Sequence, residues 1–282
     1  MAAAHDAERI GPTAHYTAYV WHRLGLPYAR HLATRQGAVL YWGFFALGEW
    51  TTRVVPGVPT MRGYLAYRHL LIDALVESLG PDRLVELGAG LTPRTLQWAL
   101  DRGVAAVDID LAPMIAVKRA ALERLPSPLR DRAAATLTLV AADVLAPDFE
   151  RTLAEQLADA RTPVVVAEGL ASYFDLPARV QLFATVAAAL RRRGGGHFVV
   201  DLHTADAQAH VGGATTVLRQ AIRMLTRRRH ALDPFPDQAA LRAALLQAGF
   251  ADARRLQPQD WVARAPALAR LRSPAHVVHA WV

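Results

Sequence analysis

The side chains in this sequence best suited to chemistry are carboxylates, and they recur at one kind of place. Glu86 lies in the apolar run Leu84 to Leu87, and Asp108 and Asp110 close the run that starts at Ala105. Asp143 follows the run Leu137 to Ala141, and Glu168 comes directly after Pro163 to Ala167. Each run reads as a buried parallel strand, so four successive strands end in acid. Buried strand ends seldom tolerate unpaired carboxylates, and ligands of open parallel sheets bind just beyond those ends, where strand order reverses. Taken singly, each acid could be a helix cap or a turn residue, Asp110 and Asp143 above all. As a set they line a negatively charged crevice. It would suit a ligand with paired hydroxyls or positive charge, because a carboxylate accepts two hydroxyls at once and attracts a cation.

Between the first strand and the helix that follows it stands Gly88-Ala89-Gly90. Glycines there let the backbone bend and lie close to a ligand, and the new helix presents unpaired N–H groups. Dinucleotide sites and plain tight turns use similar glycines, but a pyrophosphate would favour a neutral or basic crevice. Proton-transfer candidates are His203 after the fifth strand, Tyr173 after the fourth, and His15 and His22 near the amino terminus. His203 is either a general base or a structural histidine bonded to a carbonyl. The run Thr13 to Trp21 puts His15, Tyr19 and His22 at helical spacing with Tyr16 alongside. With Trp21 and Trp42 these rings form either a pocket wall or core packing.

The elements that must position these residues alternate strand and helix, the mark of parallel βαβ units. Strands are expected at 84–87, 105–109, 137–141, 163–167 and 197–202, with two late strands at 253–256 and 277–282. Helices are expected at 61–79, 93–102, 112–125, 149–160, 177–192 and 238–247; Pro126 and Pro128 stop the third of these, and the glycines 194–196 stop the fifth. Residues 203–236 break the rhythm, and 215–229 reads as an extra amphipathic helix. The fold class is therefore α/β and Rossmann-like: a mostly parallel seven-stranded sheet with helices on both faces and an amino-terminal helical cap. Residues 1–80 form the cap and 81–282 the core, with the helical insertion at 203–236.

A chain of 282 residues that is 52% hydrophobic can bury a full core. It has no cysteine, which excludes disulfides and cysteine-based nucleophiles, and no His/Asp spacing fits a metal-ligand set. The net charge of +7 raises nucleic acid as a partner. However, Lys118 is the sole lysine, and the arginines are spread along the chain without interleaved stacking aromatics, which argues against it. The amino terminus lacks a secretory signal, and the apolar stretch 38–50 is shorter than the ~20 residues a bilayer span needs. A soluble, cytoplasmic protein is expected, and a homodimer is compatible with it.

Leu87-Gly88-Ala89-Gly90-Leu91 resembles motif I of class I S-adenosylmethionine-dependent methyltransferases. The order and spacing of four further segments make the resemblance specific. These are Val107 to Asp110 with Lys118-Arg119, Ala142-Asp143-Val144, Ala167 to Tyr173, and upstream Arg62-Gly63-Tyr64. Together they resemble the leucine carboxyl methyltransferase family over residues 10–205. The resemblance implies S-adenosylmethionine as cofactor and S-adenosylhomocysteine as product. It puts Arg62 at the methionine carboxylate, with Glu86, Gly88, Ala89 and Gly90 cradling the cofactor. It further puts Asp110 at the ribose, Asp143 and Val144 at the adenine, and Glu168 at the methionine end. Thr92 stands where that family often has an acid, and Pro113 falls one position late. The segment Thr13 to Ala18 is similar to bacterial members linked to polyketide and other small-molecule methylation. The expected activity is methyl transfer to an O or N atom of a small aromatic or hydrophobic metabolite in secondary metabolism. His203 and Tyr173 are its catalytic candidates, and His15, Tyr16, Tyr19, Trp21, His22 and Trp42 contact the acceptor. Alternatives are carboxyl methylation of a protein terminus, or a non-catalytic cofactor- or RNA-binding protein.

Overall fold

A computed structural model describes residues 2–46, 60–205, 234–273 and 275–282. The Pro/Gly stretch at 55–59 and the extra helix expected at 215–229 lie outside the described residues. Three helices come first: α1 (Ala2–Leu24), α2 (Ala29–Leu32) and α3 (Arg35–Phe44). Then α4 (Met61–Leu79), β1 (Arg83–Leu87), α5 (Arg94–Arg102), β2 (Ala105–Asp110), α6 (Ala112–Glu123), α7 (Ser127–Thr136) and β3 (Leu137–Ala141) follow. The chain continues through α8 (Phe149–Leu157), β4 (Pro163–Ala167), α9 (Leu176–Arg193) and β5 (His197–Leu202). It ends with α10 (Gln238–Gln247), β6 (Asp252–Arg255) and β7 (His276–Trp281).

The seven strands form one sheet in the order β3-β2-β1-β4-β5-β7-β6. Strands β1 to β5 pair in parallel, and β7 is antiparallel to both its neighbours. Strand order reverses between β1 and β4, so the crevice where ligands of such sheets bind opens at their carboxyl ends.

Strand alternation decides which side chains meet there. Val85, Leu87, Val165, Ala167, Phe198 and Val200 point to a core shared with α8, α9 and α10. Leu84, Val164, Val166 and Val199 point the other way, onto Tyr67, Leu71, Ile72 and Leu75 of α4. By the same period of two, Glu86, Asp108 and Asp201 fall on the α4 side. Helix α4 is capped by Thr60, whose hydroxyl accepts the Gly63 N–H at 2.9 Å, and it ends at Gly80 with φ +58°. It packs on the sheet, so the expected cap 1–80 includes a helix that covers core strands.

The pair Pro126 and Pro128 was expected only to stop a helix; it also starts one. Pro128 sits in the first turn of α7, where its fixed φ fits and no intrahelical N–H is needed. No helix among the described residues is long and apolar enough to cross a membrane.

Candidate active site

A cavity of about 340 Å³ opens at the carboxyl ends of β1, β2 and β4, with α1 lying across it. Gly88, Ala89 and Gly90 line it. Gly88 has φ +62°, and a Cβ on it would come within 2.7 Å of the Leu170 side chain; Gly90 has φ +49°, and a Cβ there would meet Ala14 of α1 at 3.2 Å. Both positions thus need glycine for backbone angle and for closeness.

One end of the cavity is built around Asp110. Its Oδ2 accepts the Gly90 N–H and its Oδ1 the Leu111 N–H, both at 2.7 Å. The turn therefore aims the carboxylate, and each oxygen keeps a lone pair for a further donor. Burial pushes the Asp110 carboxyl up, against the pull of those two amides. Asp143 accepts the Leu145 N–H on Oδ1 at 3.0 Å and lines the cavity beside Val144, Leu111 and Met114.

The other end is a buried charge network. Arg94, at the start of α5, donates from Nε to Asp73 and from Nη1 to Glu86, each at 2.5 Å, and from Nη2 to Glu168 at 2.6 Å. His69 Nδ1 lies 2.8 Å from Glu168, and its Nε2 lies 3.3 Å from Asp73. Arg68 Nε donates to Glu168 Oε1 at 3.0 Å, and its Nη1 lies 3.3 Å from Asp201. Burial works to raise the Glu168 carboxyl, but His69, Arg94 and Arg68 outweigh it and hold the group far below the carboxylate range. Glu86 goes the other way. Burial, helped by Asp108 and Glu168, overrides Arg94 and lifts its carboxyl to about 7. Its Oε2 is buried without a hydrogen-bond partner among the described residues.

The structure brings together Glu86, Gly88, Ala89, Gly90, Asp110, Asp143, Val144, Glu168, Tyr173, His15 and Trp21 around this cavity. Asp108 is elsewhere: it is fully buried, 2.6 Å from Lys118 Nζ and 2.7 Å from the Thr95 hydroxyl. Arg62 lies off the cavity. It donates to the Arg23 carbonyl at 3.1 Å, whereas Arg68 lines the cavity. Six residues separate them on one helix, which turns the side chain through about 240° and shifts it about 9 Å along the axis.

His203 directly follows β5, as expected. It stacks on Tyr64, whose hydroxyl lies 3.2 Å from its Nε2, and it is not part of the cavity lining. Burial, reinforced by Arg68, His276 and Arg179, lowers it to about 4.

Four acceptor candidates likewise lie off the cavity. Tyr16 is buried against Tyr41 and Phe44. Tyr19 packs on Tyr41, and His22 is exposed beside Tyr19. Trp42 is 48% exposed with Arg23 over its ring. On α1, residues 14, 17 and 21 share the face that meets the cavity, while 16 and 20 turn toward α3 and α4.

Sequence reasoning missed Arg68, His69, Asp73, Arg94 and Asp201. The available signal was the presence of charged residues inside otherwise apolar helix and strand patterns. Among the described residues, no group of three or more His, Asp or Glu is placed to hold a metal.

A family model described as leucine carboxyl methyltransferase matches residues 26–187, more than half of the chain. None of the curated proteins compared with the chain matches it. Among solved structures, the S-adenosylmethionine-dependent methyltransferase SibL is 17% identical, with a TM-score of 0.51 over 82% of this chain and 61% of that one. A putative O-methyltransferase from Nostoc punctiforme is 15% identical, with a TM-score of 0.47 over 79% of this chain and 61% of that one. The glycopeptide N-methyltransferase MtfA, solved with sinefungin, is 20% identical, with a TM-score of 0.47 over 77% of this chain and 93% of that one. The match to SibL shows the fold, and this chain spans about three-fifths of the length of SibL and of the Nostoc protein.

Proposed function

The chain belongs to the leucine carboxyl methyltransferase family, a family of S-adenosylmethionine-dependent methyltransferases, and we propose that it methylates an O or N atom of a small aromatic or hydrophobic metabolite. The observation that carries the cofactor assignment is Asp110, a cavity-lining carboxylate whose two oxygens are fixed by the backbone amides of Gly90 and Leu111. The cofactor's ammonium goes to the carboxylates at the other end of the cavity, Glu86 and Glu168. Asp110, with both oxygens aimed by backbone amides, accepts the ribose diol. Asp143, Val144 and Met114 hold the adenine. Arg68 is the one guanidinium or ammonium among the described lining residues, and it takes the methionine carboxylate. When bound, the cofactor supplies an electrophilic methyl carbon for in-line displacement. The chain's own contribution is positioning and the exclusion of water.

The acceptor assignment rests on enclosure. Helix α1 closes one side of the cavity, which suits a small molecule better than the chain end of a folded protein. Thr13, Trp21, Tyr173 and Phe174 offer it an apolar and hydroxyl-bearing border. The amino-terminal segment 1–80 and the insertion 203–236 select it.

Calorimetry with S-adenosylhomocysteine tests the cofactor assignment, and absence of binding up to millimolar overturns it. Release of S-adenosylhomocysteine is then followed with simple phenols, arylamines and a peptide ending in leucine. Turnover confined to the peptide overturns the small-molecule assignment.

A further inference from the structure

Asp201 is one residue from the end of β5, has no exposed surface, and is not among the residues that line the cavity. It nevertheless touches two that do. Its Oδ2 lies 3.3 Å from Arg68 Nη1, and its Oδ1 accepts the N–H of Gly169. Gly169 has φ +72°, and a Cβ on it would meet Arg68 Nη2 at 2.8 Å and Nη1 at 3.1 Å. The guanidinium of Arg68 therefore fills the space that a side chain at position 169 would take. Glu168 holds it at Nε, Asp201 holds it at Nη1, and Nη2 lies over a residue of the cavity wall. A flexible side chain of this length loses considerable rotamer entropy when it is ordered. Two carboxylates and a bare backbone remove that cost before any ligand arrives.

We propose that Asp201 is a positioning residue, which clamps the Arg68 guanidinium onto Gly169 so that Arg68 receives the carboxylate of the bound cofactor. This rests on the assignment of S-adenosylmethionine to the cavity. Asp201 does not itself touch the ligand. It sets the direction in which Arg68 presents its donors, and through the Gly169 amide it fixes the turn that carries Glu168. Substitution by asparagine keeps an oxygen for the Gly169 N–H but turns an amide donor toward Arg68, which must then move.

The test compares S-adenosylmethionine with decarboxylated S-adenosylmethionine, which keeps the sulfonium and the ammonium but lacks the carboxylate. Both are titrated calorimetrically into the native chain, Asp201→Asn and Gly169→Ala, with melting curves to establish that each variant folds. Asp201→Asn is expected to weaken S-adenosylmethionine by about tenfold or more, the loss of one charge-assisted contact. It should change the affinity for the decarboxylated compound by less than about twofold. Gly169→Ala pushes the same guanidinium from the other side and is expected to show the same selectivity; it decides the matter if Asp201→Asn does not fold. Equal weakening of both ligands, or none of either, overturns the proposal. Failure of the native chain to bind S-adenosylmethionine overturns the cofactor assignment instead.

Discussion

The proposed approach of the cofactor's ammonium to Glu86 would make binding a proton-linked event. The Glu86 carboxyl is raised from 4.5 to about 7 by burial in the ligand-free chain, so folding binds that proton more tightly than the unfolded state does. The stability this group contributes is full below about pH 4.5 and is lost as pH climbs through about 7. The ammonium of the cofactor needs the ionised form. At about pH 7 the group is half ionised and at about pH 6 roughly one-tenth, so the dissociation constant should rise roughly fivefold over that unit and roughly tenfold over the next. Above about pH 7.8 the α-amino group of the ligand loses its own proton and the affinity falls again. Glu86→Gln keeps the shape and can still accept from Arg94, which Glu86 now meets at 2.5 Å, but it puts an amide donor where the ammonium needs an acceptor. That should cost about 1.5–3 kcal/mol, roughly ten- to hundredfold in affinity near pH 7.5, and should remove the slope between pH 5.5 and 7. Calorimetry in two buffers of different ionisation enthalpy reads both effects. The native chain should release close to one proton on binding near pH 6, and Glu86→Gln none. A flat pH dependence in the native chain, or a native slope in Glu86→Gln, refutes the reasoning.

Arg62→Ala should leave S-adenosylhomocysteine affinity within about twofold by calorimetry, while Arg68→Ala should lower it by about tenfold or more, the worth of a charge-assisted pair. Lys118→Met strands Asp108 in a fully buried site and should cost about 3–5 kcal/mol of unfolding free energy by denaturant titration, of which Asp108→Asn in the same chain restores part. His279 is held at about 4 by burial, with His197 and Arg254 adding. Its unfolded form therefore binds the proton first, and stability falls as pH drops from about 6.5 through about 4, by about 3 kcal/mol at most. Thermal melts of His279→Phe across that range should be flatter than those of the native chain.

The network beneath the cavity explains why so many acids can share it. Asp73, Glu86, Glu168 and Asp201 face Arg68, Arg94 and His69. Removing either arginine would leave buried carboxylates unpaired, a far larger penalty than the worth of any single pair. Within this network Glu168 has both oxygens engaged, so it anchors the guanidinium of Arg68. Glu86 Oε2 is buried without a hydrogen-bond partner among the described residues.

Strand and helix periodicity, with the glycines of the first turn, was enough to place the sheet. The sequence expectations for β3, β4, β5, α4 and α10 agree with the structure to the residue, because buried parallel strands read as short apolar runs whatever packs on them. The same local signals placed Gly88, Gly90, Asp110, Asp143 and Glu168 at strand ends, and strand ends are where the crevice opens. Local pattern could not choose between Arg62 and Arg68, since both lie on one helix and only the angle at which α4 meets the sheet decides which enters the cavity. Nor could it tell that Tyr16 and Tyr19 turn to α3 while Ala14, Thr17 and Trp21 face the cavity. Asp201 read as one more residue of an apolar strand. Pairing between β4 and β5, together with the crossing of α4 above them, turned it into a partner of Arg68. Sequence therefore determined which elements exist and which residues end them, through interactions a few residues long. Tertiary packing alone decided which charges meet, because ion pairs between residues 68, 94, 168 and 201 depend on contacts across elements that no local period encodes.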